Sequence, residues 1–561
     1  MRASNSAAPH RGFLPINRQL ARRLKVGACL ALALVAPLSA ADSMKALRQE
    51  AANRTRALIF NNDGNEPVYE MKEPTVASLL QARTAGLAGS HVGTIFYSSW
   101  GSGLGLFTHH TKVGQMFDTR EGHFARNQTH ALLEAGIDPL RVMIEFGRKN
   151  NIEVFWSMRM NDIHDANTNY AWGPIMFRSN RFKLDHPEFL FGTDENPPKI
   201  GGWSGVDYGQ AAVRDYVFRI IEEVVQNYEV NGIELDFNRF PVLFKSNTLG
   251  RPATDSDRAA MTDLMRRVRV AADAAGQQRG RPILISVRLP DSVEYCRAIG
   301  LDLEHWLKSD LLDLMTVGGY FQLNPWEYST ALGRKYGVKV YSSVDEARIR
   351  RLPEAKKLRN SVLSRRGQAM NLWAAGIDGI YMFNVFDPMD PLWRELGDPK
   401  QLAGLDKDYF ASVRGLGYAA TTWYPNGKFQ NVASLNPDAP LPLTSRQPTK
   451  VTFSIGDDLQ QSAVPPKTML RLMFKDLPDE SVSRFVRVEL NGTPLPEGRM
   501  DPSQYWLDLD KWIEFEIDPK LLRKGENQVS VILTPKAPKN AWWTDLHLTV
   551  RFPGGEKTST P

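Results

Sequence analysis

The chain has 561 residues, too many for one ordinary domain, and 42% of them are apolar or aromatic, enough for sizeable buried cores. Its net charge of +6 comes from residues 1–41, which hold six of the 69 Lys and Arg and none of the 63 Asp and Glu. The balanced remainder gives no indication of a nucleic-acid partner. Of the two cysteines, Cys296 alone follows residue 41, which excludes an intrachain disulfide or a cysteine metal cluster there.

Residues 1–41 have the order of an export signal. Basic residues, the last of them Lys25, precede an apolar run over residues 26–35, and Ser39-Ala40-Ala41 offers small residues for cleavage. The apolar run is too short to span a membrane. We therefore expect a periplasmic or secreted protein with no stable membrane insertion once the signal is removed.

Short β-branched runs then alternate with amphipathic helical patterns, which is typical of parallel β/α units. The predicted strands span residues 57–60, 92–97, 152–157, 232–237, 283–287, 312–317, 338–342 and 379–383. The predicted helices span residues 75–85, 139–150, 213–230, 255–275, 301–309, 328–336 and 358–375. Eight strands with a helix in each gap predict an α/β fold, a (β/α)₈ TIM barrel. The alternative is an open doubly wound sheet, although no Gly-rich phosphate loop follows the first strand.

The β/α alternation fades after residue 388, and the Pro-rich residues 435–446 are typical of a linker. Strand patterns follow at residues 450–454, 469–474, 484–490, 512–516, 528–533 and 546–551. Their spacing predicts a C-terminal antiparallel β-sandwich. The predicted division is a signal peptide at 1–41, a barrel domain at 42–434, a linker at 435–446 and a sandwich domain at 447–561.

The fourth predicted strand carries two carboxylates two positions apart. In Asn231-Gly-Ile-Glu-Leu-Asp-Phe-Asn-Arg-Phe-Pro241, Glu234, Asp236 and Asn238 point to one face of the strand. Barrel enzymes keep their chemistry at the carboxyl ends of strands, and glycoside hydrolysis needs two carboxyl groups. Asp236, last on its strand, is best placed as nucleophile or base, and Glu234 lies one layer deeper. The alternative is a buried strand with one structural ion pair.

Polar side chains also follow the other predicted strands, and so many on one rim predict a polar ligand. Candidate acids to partner Asp236 are Asp162 and Glu346, with Glu294 and Asp345 as further choices. The candidate substrate-binding residues are Asp63, Trp100, Arg159, Asn161, His164, Asn238, Arg239, Arg288, Tyr320 and Asn384. We expect no cofactor and no metal. His164 near Asp162 and Asp165 is the alternative metal site, but no second histidine stands at ligand spacing.

The fourth-strand motif, with Asn161-Asp-Ile-His-Asp165 and Asp185-His-Pro-Glu-Phe189, resembles the glycosyl-hydrolase-like family 10 barrels over roughly residues 55–400. Leu235-Asp-Phe-Asn238 is also similar to the nucleophile motif of α-galactosidase-type barrels, with Glu234 where those carry Lys. Chitinase-type barrels carry a Glu where Asn238 stands. These resemblances imply an exported glycoside hydrolase with a carbohydrate substrate. The alternative is a non-catalytic glycan-binding protein on a hydrolase barrel that has lost its activity.

Overall fold

The structure is a computed structural model that describes residues 40–166, 171–344, 347–414, 427–462, 464–477, 482–500 and 510–554. Met44–Pro561 forms one compact unit. Of the predicted export signal, only residues 40 and 41 fall within these ranges, at the start of helix α1 (Ala40–Ala52). Among the helices described, none is both long enough and apolar enough to cross a membrane.

Eight parallel strands close into a barrel in chain order, and β8 pairs back onto β1. The strands are β1 (Leu58–Asn62), β2 (Val92–Tyr97), β3 (Glu153–Arg159), β4 (Gly232–Asp236), β5 (Leu284–Leu289), β6 (Leu314–Val317), β7 (Lys339–Val344) and β8 (Gly379–Met382). Each overlaps a predicted strand, so the (β/α)₈ barrel is confirmed. Strands such as β4 and β5 are buried throughout, because one face lines the barrel interior and the other packs on helices.

Two of the longer helices begin at side-chain caps. The Asp138 carboxylate accepts two backbone N–H bonds at the start of α4 (Pro139–Asn150), and Thr254 forms a capping box with Asp257 at the start of α9 (Asp255–Arg279). The remaining helices are α2 (Val76–Arg83), α3 (Thr129–Glu134), α4 (Pro139–Asn150), α5 (Trp172–Arg178), α6 (Arg181–Asp185), α7 (Ala211–Asn227), α8 (Lys245–Thr248), α9 (Asp255–Arg279), α10 (Val293–Ala298), α11 (Leu303–Lys308), α12 (Trp326–Tyr336), α13 (Pro353–Arg359), α14 (Val362–Ala374), α15 (Leu392–Glu395), α16 (Pro399–Leu402) and α17 (Val482–Phe485).

Two antiparallel sheets follow the barrel. Their strands are β9 (Lys407–Phe410), β10 (Thr449–Ile455), β11 (Lys467–Lys475), β12 (Val486–Leu490), β13 (Asp510–Ile517), β14 (Gly525–Leu533) and β15 (Trp542–Arg551). One sheet has the order β9-β15-β11-β13 and the other β10-β14-β12, with two-residue strands at their margins. Alternate apolar residues such as Phe453 of β10 and Leu470 of β11 share one buried core, so the sandwich prediction is confirmed.

Strand β9 comes before the predicted linker and yet pairs with β15, for example Phe410 with His547. The predicted boundary after residue 434 therefore lies beyond the first strand of the sandwich. The linker segment itself has close contacts. Asn436 is buried, and the Asp438 carboxylate accepts the backbone N–H groups of Arg350 and Arg351, each at 2.8 Å.

Candidate active site

The pairing register of the barrel sets two arginines beside Asp236. Asp236 on β4 is opposite Arg159 on β3 and Arg288 on β5. One layer deeper, Glu234 is opposite Ser157 and Ser286 in the same two registers. Because neighbouring parallel strands present residues of one register side by side, the site has a charged upper layer over a polar lower one.

Asp236 is held as a hydrogen-bond acceptor on both oxygens. Its Oδ1 accepts the backbone N–H of Asn238 at 2.9 Å and that of Arg239 at 3.0 Å. Its Oδ2 accepts from Nη1 of Arg288 at 3.1 Å. An ionised carboxylate can only accept hydrogen bonds, and these three donors match that form. The loop after β4 thus turns back on the strand end and fixes the orientation of the carboxylate.

Glu234 has a different environment. It is fully buried, and its Oε2 accepts from the Ser157 hydroxyl at 2.5 Å and from the Tyr381 hydroxyl at 3.3 Å. Its Oε1 has no hydrogen-bond partner among the described residues. Burial, helped by the charge of Asp236 and opposed by that of Arg288, raises the pKa of Glu234 to about 8. This environment therefore favours the protonated form of Glu234, one layer below Asp236, at neutral pH.

Asp162, His164 and Arg239 form a hydrogen-bonded chain. Asp162 Oδ2 lies 2.7 Å from His164 Nδ1, and Arg239 Nη2 lies 2.8 Å from His164 Nε2. Because a guanidinium only donates, Nε2 is the acceptor and Nδ1 carries the imidazole proton. Burial first, and then the positive charge of Arg239, lower the pKa of His164 against the opposing effect of Asp162. Both ring nitrogens are thus occupied by protein groups, which leaves neither for a metal.

The Asp162 carboxylate accepts more hydrogen bonds from the protein than a general acid would. Besides His164 Nδ1, it accepts the backbone N–H groups of Gly103 at 2.7 Å and of His164 at 3.0 Å. Although burial opposes it, the contacts with His164 and Arg159 hold the pKa of Asp162 well below its usual range. The structure therefore places Asp162 as a positioning residue for His164.

Arg159 connects β3 to the loop after β1. Its Nη2 lies 2.5 Å from Asp63 Oδ1, and its Nη1 donates to the Ser102 hydroxyl at 2.9 Å. Against the effect of burial, Asp63 and Asp162 raise the pKa of Arg159, and Arg159 and Arg239 lower that of Asp63. This pair brings the ends of β1 and β3 together on the same rim as Asp236.

Aromatic rings pack against the guanidinium of Arg288. Its carbon lies 4.3 Å from the ring centroid of Phe383, 5.1 Å from that of Tyr381 and 5.6 Å from that of Tyr320. Such rings attract cations and exclude water, so they hold Arg288 toward Asp236. Tyr381 is not among the candidates predicted from the sequence, and the signal that could have found it is its inward position on β8.

Other candidates lie outside this cluster. Asn161 bonds the backbone of Val206 and Val242 and so holds two loops together. Trp100 is buried in an aromatic cluster, stacked on Phe117 with centroids 4.9 Å apart. Asn384 is half-buried at a positive φ of 59°.

The last two predicted site residues are Asn238 and Glu346. Asn238 is buried beside Asp236 and donates to the Gly318 carbonyl at 2.8 Å, while its Oδ1 has no partner in the part of the chain that the structure describes. Glu346, with Asp345, lies outside the described residues.

Comparison with known proteins gives no family. No family model matches the chain, and no curated protein matches it. Among solved structures, it is similar to a cycloisomaltooligosaccharide glucanotransferase from Paenibacillus sp. (11% identity, 88% of this chain and 57% of that one, TM-score 0.34). It is also similar to α-L-fucosidase isoenzyme 2 from Paenibacillus thiaminolyticus (14% identity, 62% of this chain and 49% of that one, TM-score 0.37). A third similar structure is a family GH18 chitinase from Chromobacterium violaceum (10% identity, 88% of this chain and 92% of that one, TM-score 0.31).

The chain spans 57% of the length of the first of these proteins and 49% of the length of the second. The neighbours include glycoside hydrolases, and the likeness is too weak to carry an argument about activity. The fold class rests on the closed eight-stranded barrel itself.

Proposed function

We propose that the protein is an exported glycoside hydrolase. The observation that carries the proposal is Asp236, a carboxylate fixed by three donors at the end of a barrel strand, directly above the protonated Glu234. The likeness of the fourth-strand motif to glycosyl-hydrolase-like family 10 barrels supports it, and so does the signal-like order of residues 1–41 for export.

Hydrolysis of a glycosidic bond needs a carboxylate at the anomeric carbon and an acid at the leaving oxygen. We assign the first role, nucleophile or base, to Asp236. Glu234 is too deep to meet the sugar, and in its neutral form it adds no second negative charge beside Asp236. We assign the acid role to Glu346, which follows β7 in the sequence.

A second candidate function is glycan binding without catalysis. It is favoured by Asp162, because that carboxylate is fully buried and its oxygens already accept from protein donors. Asp162 therefore offers no proton to a leaving group, and a hydrolase would need its acid from elsewhere on the rim.

The two candidates differ in one measurable product. Purified protein is incubated with polysaccharides and aryl glycosides of both anomeric series, and new reducing ends and released aryl groups are counted alongside glycan binding. Release of reducing ends from at least one substrate supports the hydrolase. Binding to a glycan with no release on any of them would replace it with the binding protein.

A further inference from the structure

Four guanidinium groups meet at the rim of the barrel. Arg159 and Arg288 flank Asp236, Arg239 follows β4, and Arg348 follows β7. The guanidinium carbons of Arg239, Arg288 and Arg348 lie 5.3, 5.6 and 5.0 Å from the ring centroid of Tyr320. Three guanidinium groups thus pack around one ring, which attracts cations through its face.

The arginines at this rim are neutralised differently. Arg159 forms an ion pair with Asp63, and Arg288 forms one with Asp236. Arg239 instead donates to the neutral imidazole of His164, and no carboxylate of the described residues forms an ion pair with it. Its Nε also lacks a hydrogen-bond partner among those residues.

The electrostatics agree with this geometry. Burial first, and then the charges of Arg159 and Arg348, lower the pKa of Arg239 to about 10 against the opposing effect of Asp63 and Asp162. Glu234 does not offset this charge at neutral pH, because its pKa is raised to about 8. Arg239 is therefore a buried cation beside two other guanidinium groups, with Asp63 and Asp162 opposing them from a distance.

His164 orients Arg239 without neutralising it. An aspartate in its place would hold the guanidinium as well but would cancel its charge. The proton of His164 is fixed on Nδ1 by Asp162, so Nε2 stays free to accept. The Asp162–His164 pair is thus suited to keep a guanidinium both oriented and available.

We propose that Arg239 binds an anionic group of the substrate, so that the glycan is acidic and carries a carboxylate or a sulfate ester. This inference rests on the proposed function. The backbone N–H of Arg239 bonds Asp236 at 3.0 Å, so an anion on its side chain lies near the reacting carboxylate. A guanidinium is suited to this task because its parallel N–H groups match two oxygens of one anion.

The test compares sugars that differ only in the anionic group. The kcat/KM is measured for aryl glucuronide against glucoside and galacturonide against galactoside, in both anomers, and for the 6-sulfated sugars. Wild type should prefer one acidic series by about tenfold or more, and salt should weaken that preference. The series preferred identifies carboxylate or sulfate. Equal or better turnover of the neutral sugars overturns the proposal.

Variants of Arg239 distinguish a role in binding the anionic group from a role in packing. Arg239→Gln should lower kcat/KM on the acidic sugar about tenfold more than on its neutral partner, and Arg239→Lys should lie between Gln and wild type. Arg267→Gln is the control, since Arg267 is on α9 in a surface ion pair with Asp215, and it should leave the ratio unchanged. An equal loss on both sugars after Arg239→Gln would make the guanidinium structural and overturn the proposal.

Failure of the proposed function is distinguishable from failure of this inference. If no glycoside is hydrolysed, the hydrolase proposal fails, and binding of oligogalacturonate, sulfated and neutral oligosaccharides is measured by calorimetry on the same variants. Binding of an acidic oligosaccharide that Arg239→Gln weakens by about tenfold supports acidic-glycan recognition. No binding, or equal binding of the neutral oligosaccharide, overturns it.

Discussion

Glu234 and Asp236 are two residues apart on one strand, and their donors make them chemically different. Asp236 accepts two backbone N–H groups and one guanidinium, whereas Glu234 accepts from two hydroxyl groups in a fully buried layer. Strong donors stabilise a carboxylate, and burial disfavours it. One strand thus presents a charged acceptor at the rim and a neutral acid below it.

The raised pKa of Glu234 predicts how stability depends on pH. An unfolded Glu titrates near 4.5 and the folded one at about 8, so between these pH values the unfolded state releases a proton that the folded state keeps. The free energy of unfolding should therefore fall as pH rises through this window, by up to about 1.4 kcal/mol per pH unit from this group.

Glu234→Gln should remove that contribution. The free energy of unfolding of the variant, relative to that of wild type, should therefore rise steadily from pH 5 to about 8. Urea unfolding across this range measures it. Glu304→Gln, at a half-exposed position on α11, is the control and should run parallel to wild type. A constant difference between Glu234→Gln and wild type would contradict the protonated Glu234.

At the scale of elements, the sequence predicted most of the strands and the pair on β4. Period-two alternation and apolar runs depend on neighbours in the chain, so Glu234 and Asp236 could be placed on one inward face. The roles of Tyr381 and Asp162 could not be predicted. Tyr381 meets Glu234 across 147 positions of sequence, and Asp162 accepts from Gly103, 59 positions away.

Strand β9 also depends on contacts between residues that are distant in the sequence. Its four residues begin with Lys407 and Asp408, charges that disfavour a buried strand. In the fold Lys407 pairs with Asp457 at 3.2 Å, and Asp408 pairs with Arg551 at 2.7 Å. Because Asp457 follows β10 and Arg551 ends β15, both partners are distant in the chain, and the local pattern gives no sign of the sandwich pairing.

Gly319, in the loop after β6, should not tolerate a side chain. Gly319 has a φ of +126°, and an added Cβ would lie 2.5 Å from Arg288 Nη2 and 3.3 Å from Asn238 Nδ2. Gly319→Ala should displace Arg288 from Asp236 and lower kcat by about tenfold or more, because a misplaced catalytic group loses orientation.

Gly337 is the matched control, since its φ is +70° and an added Cβ would meet nothing within 4 Å. Gly337→Ala should cost about 1 kcal/mol of stability through backbone strain and leave kcat unchanged. Equal kcat losses in the two variants would show that strain alone, and not the position of Arg288, controls activity.

At the scale of the molecule, the barrel and the sandwich meet through a buried ion pair. Arg359 of α13 donates to Asp545 of β15 at 2.6 Å, and neither side chain is exposed. The Arg359 guanidinium also lies 4.4 Å from the ring centroid of Phe410 on β9. The two parts are thus coupled through both charge and packing.

Arg359→Met should destabilise the protein by about 3–5 kcal/mol, because it leaves the Asp545 carboxylate buried without its partner. Arg267→Met breaks the exposed pair with Asp215 and should cost no more than about 1 kcal/mol. Thermal or urea unfolding compares the two. A loss as small as that of Arg267→Met would mean that the interface does not depend on the buried pair.

The turnover of Asp236→Asn on a substrate that wild type cleaves tests the catalytic role of Asp236 most directly. The amide keeps the size and most hydrogen bonds of the carboxylate and removes its charge, so kcat should fall on the order of a thousandfold or more while glycan binding survives. Glu234→Gln should lose less in the same assay. Wild-type turnover in Asp236→Asn would show that Asp236 is not the nucleophile or base, and the catalytic role would pass to another acid of the rim.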